Sequence, residues 1–477
     1  MHLKRIEEDL QALVGAAHVL SAPEDLRPYD TPARYEAGRA ALAVRPATTA
    51  EVSAVVAYCA ARGIGLAPQG ANTGLVGGST ADGSGRQVVL SLERLRAPLR
   101  IDAANRTVRA GAGVRLSALN AALEPHGLFL PIDLGADPTL GGMAATNTGG
   151  ARFIRYGDMR RHVLGLQVVL SDRRGEVVEL KGGLRKDNTG LDLRQLFVGS
   201  CGALGVITEV EVEVHPRPRQ TSAALVALAE ADAALPLLQH MEREAGELLT
   251  AFEGMSRNAM DAALAHVPGL RNPFHAGTPP YAVLIELASA RPRRDGETGP
   301  SEVLETALAS WLETAGAATL DVLMGPPQPL WAIRHALSEG LRAKGQVTGF
   351  DLAFRRSDLP AFRRDALARL SAQFPEFAVC DFGHIGDGGV HFNLVADRRD
   401  PPSPERLEAL RTCVYGIAVG RYGGSYSGEH GLGRANLSSY QAFTPDLVRE
   451  LSGAVQNVFA EAPLGAVDFV AWVKAPV

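Results

Sequence analysis

Residues 68–79, Pro68-Gln69-Gly70-Ala71-Asn72-Thr73-Gly74-Leu75-Val76-Gly77-Gly78-Ser79, decide how this chain is read. Four glycines within 70–78 let the backbone approach another group closely, and Asn72, Thr73 and Ser79 add small hydrogen-bonding groups. Successive backbone N–H groups in such a loop make a nest for anions, pyrophosphate above all. A lone loop of this kind is equally a surface turn. Here it follows a buried-strand pattern, Gly65-Leu66-Ala67, and further glycine-rich stretches lie downstream. It lacks the Lys-Ser/Thr ending of a nucleotide triphosphatase loop. It also lacks the Gly-x-Gly-x-x-Gly that opens a dinucleotide-binding helix.

Working outward, Ala47–Val52 reads as a capped helix start with apolar Val52, Val55, Val56 and Cys59 behind it. Strands are expected at Val88–Leu92, Ile101–Asp102 and Thr107–Ala110, then a helix carrying Leu116, Leu119, Ala122 and Leu123 and closed by Gly127. A second dense stretch spans Pro131–Gly150, including Gly141-Gly142-Met143-Ala144-Ala145-Thr146-Asn147-Thr148-Gly149-Gly150. A β-rich run from Val163 to Val214 encloses a third, Gly199–Thr208. Pro216 and Pro218 are expected to stop the ladder and mark a boundary. From about 220 to 415, alternating strands and Ala/Leu/Glu-rich helices point to a separate α+β domain.

The bulk properties fit that division. A chain of 477 residues calls for two or three domains, and 46% apolar with 21% charged residues is ordinary for a globular protein. A net charge of −5 without a basic block argues against nucleic acid. Cys59, Cys201, Cys380 and Cys413 show no C-x-x-C spacing, so neither a disulfide scaffold nor a structural zinc site is indicated, and a cytoplasmic setting is expected. Met1–Leu13 reads as an amphipathic helix rather than a signal peptide, and no apolar run is long enough to predict a membrane span.

The second half carries side-chain chemistry. Phe382–Asn393 is a glycine-rich turn flanked by His384 and His391, and the alternation Val390–Leu394 puts His391 and Asn393 on one strand face. Downstream lies Ser427-Gly428-Glu429-His430-Gly431-Leu432-Gly433. Two imidazoles and a carboxylate suit a divalent metal with open positions, and an adjacent histidine is then available for proton transfer.

Taken together, these stretches, with Arg155-Tyr156-Gly157, resemble the flavoprotein oxidoreductases of the vanillyl-alcohol oxidase type, in the D-2-hydroxyacid dehydrogenase branch, over about residues 30–475. The resemblance implies an α+β fold. A two-subdomain FAD-binding domain of the p-cresol methylhydroxylase (PCMH) type occupies 1–217 (core about 38–217), a cap domain 218–415, and 416–477 returns to the flavin domain. It places Gly70, Ala71, Asn72, Thr73, Gly74, Gly78, Ser79, Thr139, Gly142, Thr146, Asn147, Gly149 and Ile207 against FAD. No histidine stands in 68–79, so the expected FAD is non-covalent. It makes His384, His391 and Glu429 ligands of a divalent metal, expected to be zinc, and His430 the catalytic base. Arg334, Ser338, Asn393 and His430 become substrate contacts; Arg334 and Ser338, four apart, share a helix face. The implied reaction oxidises a D-2-hydroxy acid, of the D-2-hydroxyglutarate or D-lactate class, with the metal as Lewis acid and hydride passing to flavin N5. Electron-transfer flavoprotein or a quinone would take the electrons, and a homodimer is possible.

Two departures stand out. Relatives specific for hydroxyglutarate carry a lysine just before the Asp-Leu that is Asp351-Leu352, where this chain has Gly349-Phe350. Their Gly-Ser-Glu-Gly is Gly199-Ser200-Cys201-Gly202, and Cys201 reads as a packed residue. Rival readings are a flavin-binding subunit of a glycolate-oxidase-like complex, a sibling acting on an aromatic or ether-lipid alcohol, and a metal-dependent hydrolase that binds a phosphorylated substrate.

Overall fold

The computed structural model describes residues 3–34 and 37–473. The chain divides into two compact units. The first comprises residues 1–149, 158–216 and 429–477; the second comprises 150–157 and 217–428.

The first unit holds two principal sheets. In one, Val19–Leu20, Leu42–Val44, Val88–Ser91 and Leu66–Gln69 lie side by side in that order, the last three mutually parallel. Parallel strands covered on both faces carry unbroken apolar runs, as Leu42-Ala43-Val44 and Val88-Val89-Leu90 do. The helix Thr49–Ala60 connects into this sheet and buries Val52, Val55, Val56 and Cys59 on it. Its start is locked reciprocally: Glu51 N–H donates to the Thr48 hydroxyl, and the Glu51 carboxylate accepts from Ala47 N–H. The N-terminal helix is present as Leu3–Val14; Met1 and His2 lie outside the described residues.

The other sheet is antiparallel, in the order Leu99–Asp102, Thr107–Gly111, Val206–Glu213, Val163–Val169, Val177–Leu180. Val206–Glu213 alternates, with Val210 and Val212 in the core and Glu209 and Glu211 half-buried on the opposite face. The helices Leu116–Leu123 and Leu140–Thr146 contribute Leu119, Leu123, Leu140 and Met143 to that core.

The pairing runs on to the first of the prolines after Val214 and stops there. His215–Pro216 forms a short antiparallel ladder with Leu128–Phe129, with Pro216 as its last residue, where a missing N–H costs nothing further along. The unit boundary follows it, between Pro216 and Arg217.

The second unit is built on one antiparallel sheet. Its strands run Thr319–Gly325, Gln220–Leu228, Tyr281–Ser289, Leu249–Ser256, Phe382–Gly383, Gly389–Ala396, Gln346–Ala353, with Ala378–Val379 paired to Gly389–Ala396 off that path. Helices cover both faces. Arg257–His266 and Pro327–Lys344 pack on one; Ala234–Ala245, Pro300–Ala315, Leu359–Gln373 and Pro404–Tyr415 pack on the other. The chain leaves this unit after Gly428, later than the division at 416 drawn on sequence. The reason is backbone pairing: Ser425 and Ala353 exchange N–H···O bonds, and Gly428 N–H donates to Asp351 C=O at 3.2 Å. No described helix is long and apolar enough to cross a membrane.

Candidate active site

The strand Leu66–Gln69 delivers the first glycine-rich loop, and the loop is shaped mostly by its own polar side chains. Asn72, in a left-handed conformation (φ 56°), donates to Thr31 C=O at 2.8 Å and accepts from the Ser79 hydroxyl at 2.8 Å. Gln69 reaches across to Ser79 C=O at 2.7 Å. Among the described residues, none of the backbone N–H groups of 70–79 donates to a protein acceptor. Backbone donors are seldom left unused in a folded chain, so a run of them is a prepared anion site.

The second stretch meets the first. Thr139 caps the helix Leu140–Thr146, and a Cβ on Gly70 would stand 2.2 Å from its hydroxyl oxygen. Thr146 donates to Gly142 C=O at 3.0 Å, and Asn147 ends the helix in a left-handed conformation, held by Asp158 at 2.7 Å. Gly149 is buried, and Ile207 is 5% exposed within the core of the antiparallel sheet. Thus Asn72, Ser79 and Asn147 hold the loops in shape, while glycine backbones leave the donors open.

The returning segment closes against the same loops. Gly433 passes so near the first loop that a Cβ would lie 2.3 Å from Val76 C=O and 3.0 Å from Gly78 N. Arg434 donates to Thr80 C=O at 2.7 Å, and Leu432 N–H donates to Cys201 Sγ at 3.2 Å. Cys201 is therefore a packed acceptor, and burial pushes its thiol pKa up, away from thiolate reactivity. Glu429 and His430, both half-buried, open this segment. Open amides, close-packed glycines and a bracing return segment are what a dinucleotide pyrophosphate requires, so these residues fit FAD.

In the second unit the chemistry sits on side chains. Glu253, in the strand Leu249–Ser256 and 1% exposed, accepts from Arg334 Nε at 2.7 Å and bonds His384 Nδ1 at 2.7 Å. Burial alone would raise the Glu253 pKa; the charges of His384 and Arg334 override it and bring it to about 2. Arg334 is thus no solvated helix charge. Its side chain is 12% exposed, it lies over the Phe382 ring, and among the described residues Nε is its one nitrogen with a protein acceptor. The rest of its planar fork suits a carboxylate.

Beside it, the rings of His384 and His391 stand 5.3 Å apart, edge to face. His391 lies directly across the ladder from Asp351, its Nδ1 4.0 Å from that carboxylate. His384, its Nδ1 bound by the Glu253 carboxylate, presents Nε2 for ligation, the arrangement metal-binding histidines favour, and His391 stands beside it. The two imidazoles therefore fit metal ligands by donor type. Asn393 shares the strand face of His391 but donates its amide to His391 C=O at 3.0 Å, and Ser338 is exposed one turn along from Arg334. Glu253 and Asp351 are the residues that reading the sequence missed. The available signal was a lone carboxylate inside an apolar strand run, Leu249-Thr250-Ala251-Phe252-Glu253, because such a group stays buried only when paired.

Two family models match successive parts of the chain. Residues 40–181 match the family model of the FAD binding domain, and residues 217–454 that of the C-terminal domain of FAD linked oxidases. The mitochondrial D-2-hydroxyglutarate dehydrogenase of Bos taurus is 38% identical over 432 residues, covering 90% of this chain and 76% of that one. A D-2-hydroxyglutarate dehydrogenase of Xanthomonas citri pv. viticola is 34% identical over 439 residues, 90% of this chain and 89% of its own. Among solved structures, substrate-bound p-cresol methylhydroxylase superposes with a TM-score of 0.73 at 16% identity, over 96% of this chain and 94% of that one, which speaks to the fold alone. The chain belongs to the FAD-linked oxidoreductase family of the D-2-hydroxyglutarate dehydrogenases.

Proposed function

We propose that the protein oxidises a D-2-hydroxy acid, of the D-2-hydroxyglutarate or D-lactate class, to the 2-oxo acid. The observation that carries this reading is the buried Glu253, which fixes a carboxylate-binding guanidinium and an imidazole on one face of the second unit. Arg334 anchors the substrate C1 carboxylate through the nitrogens that Glu253 leaves to it, and Phe382 beneath it excludes water from the pair. His430 takes the proton of the C2 hydroxyl as general base. The glycine-rich loops of the first unit hold FAD non-covalently through the amides of 70–79. FAD, when bound, supplies the two-electron acceptor for the C2–H bond.

His384, His391 and Glu429 are the proposed ligands of a divalent cation, zinc by donor type. That ion would polarise the hydroxyl and lower its pKa. The family names of the relatives support D-2-hydroxyglutarate as the first substrate to try. Electron-transfer flavoprotein or a quinone is the proposed final acceptor. The test is turnover of D-2-hydroxyglutarate, D-lactate and their L-enantiomers with an artificial electron acceptor, with the 2-oxo product quantified. Oxidation of a D-acid and not its enantiomer is expected; inactivity toward every 2-hydroxy acid would overturn the reading.

A further inference from the structure

The three glycine-rich stretches of the first unit hold no basic side chain. No arginine, lysine or histidine stands in 68–81, 131–150 or 199–208, and the second of them carries Asp133 and Asp137. FAD, when bound, brings a doubly charged pyrophosphate. Backbone amides answer such an anion with partial charges alone. A full positive charge can only come from another part of the chain, and the returning segment holds one. Between Glu429 and Val448, Arg434 is the one arginine or lysine.

The backbone on either side of Arg434 is seated on the first loop. Ala435 N–H donates to Val76 C=O at 3.1 Å, and Gly433 lies so close to Val76 and Gly78 that it has no room for a Cβ. The side chain then runs along the same loop. Nη1 donates to Thr80 C=O at 2.7 Å and Nη2 to the Thr80 hydroxyl, and Thr80 is fully buried. Nη2 would stand 3.9 Å from a Cβ on Gly77. The guanidinium is therefore fixed beside 77–79, whose backbone N–H groups donate to no protein acceptor among the described residues.

Thr80 takes only part of what a guanidinium offers, which is five N–H donors in a planar fork. Among the described residues Nε donates to no protein acceptor and Arg434 forms no salt bridge; Asp82 acts on it only as a neighbouring charge. Burial lowers the Arg434 pKa, and that charge opposes the effect without cancelling it. A half-buried cation with no carboxylate against it is unfavourable until an anion arrives beside it.

We propose that Arg434 is a further cofactor-binding residue, its guanidinium giving the FAD pyrophosphate the side-chain counter-charge that the glycine-rich stretches lack. This rests on the reading that the amides of 70–79 hold that pyrophosphate.

The test is the FAD affinity of the full-length protein, measured by equilibrium dialysis of the flavin-loaded enzyme at low and at high salt. Arg434→Gln keeps an N–H donor but not the charge. It is expected to weaken FAD binding by about 10–100-fold, the range of a charge-assisted hydrogen bond. It should also flatten the salt dependence of that binding, because the screened attraction is gone. Arg434→Lys keeps the charge without the planar fork and recovers part of the affinity, since an ammonium binds phosphate as a point charge. A residue that merely braced Thr80 has another signature: lysine rescues no better than glutamine, and both variants keep the wild-type salt dependence. That outcome, or an unchanged FAD affinity in Arg434→Gln, would overturn the assignment. Should Arg434→Gln fail to accumulate as folded protein, Arg434→Lys carries the test. FAD binding with wild-type salt dependence then supports the assignment, and loss of FAD at every salt concentration overturns it. A wild-type protein that takes up no FAD at all contradicts the cofactor reading on which the proposal rests.

Discussion

The glycine-rich loops of the first unit and the polar face of the second solve recognition in opposite ways. In the first, the backbone is the proposed recognising group. Asn72, Ser79, Asn147 and Asp158 bond to one another or to carbonyls, and the amides of 70–79 are left open. In the second, the backbone is consumed by sheet ladders, and the proposed recognition falls to side chains held by a buried carboxylate, Glu253 beneath Arg334 and His384, with a second buried carboxylate, Glu286, bonded by Trp331. Substitutions in the first region should therefore act through added volume, and substitutions in the second through removed charge.

The sharpest break between the two would come from His430, which the reading makes a base and not a structural strut. His430→Ala should lower kcat by about 10²–10⁴ with flavin content intact, read by steady-state kinetics alongside the absorption spectrum. If only KM moved, the base would lie elsewhere.

Glu253→Leu tests the charge side. It leaves the Arg334 guanidinium without its carboxylate, a loss of about 3–5 kcal/mol for a broken buried pair. Thermal denaturation should record the drop, and any surviving enzyme should show a raised KM. Loss of flavin instead would erase the distinction between the two regions.

Gly433→Ala tests the volume side. The added carbon meets Val76 C=O and Gly78 N, backbone atoms that cannot rotate away. A cost of about 1–3 kcal/mol is expected, with FAD released during purification and recoverable by adding it in excess. Wild-type FAD retention would mean that the return segment does not brace the loop.

A smaller effect comes from pH. Burial, then the neighbouring charges of His215 and Arg161, depress the His162 pKa from 6.5 to about 3. The unfolded chain therefore binds the proton first as pH falls, and stability is lost progressively from about pH 6.5 toward 3. His162→Gln should flatten that part of the melting-temperature profile; an unchanged slope would assign it to other groups.

The two regions were also unequally legible in the sequence. Backbone recognition needs glycine at particular positions, so 68–79 and 141–150 announced themselves locally. The apolar runs and helix caps likewise located the strand Leu66–Gln69, the start of the helix Thr49–Ala60 and the middle of the strand Gly389–Ala396, without fixing their ends. Glu253, Glu286 and Asp351 gave no such notice. Each is a single acid in an apolar strand, and its meaning depends on Arg334, Trp331 or His391, brought close by a sheet whose strand order does not follow the chain. The excursion at 150–157 was hidden for the same reason: local pattern cannot say which core Ile154 will join. Arg334 was visible as a residue, but its burial was not.

The most direct test of the central claim is anaerobic addition of D-2-hydroxyglutarate to the flavin-loaded wild type and to Arg334→Met, followed by visible absorption. The account predicts that the oxidised flavin band of the wild type bleaches, with 2-oxoglutarate formed. The variant should retain the band at the same substrate concentration and bleach only at far higher ones. A variant reduced as readily as the wild type would contradict the assignment of Arg334 as the carboxylate anchor. A wild type that keeps its band with this and every other D-2-hydroxy acid would contradict the proposed activity.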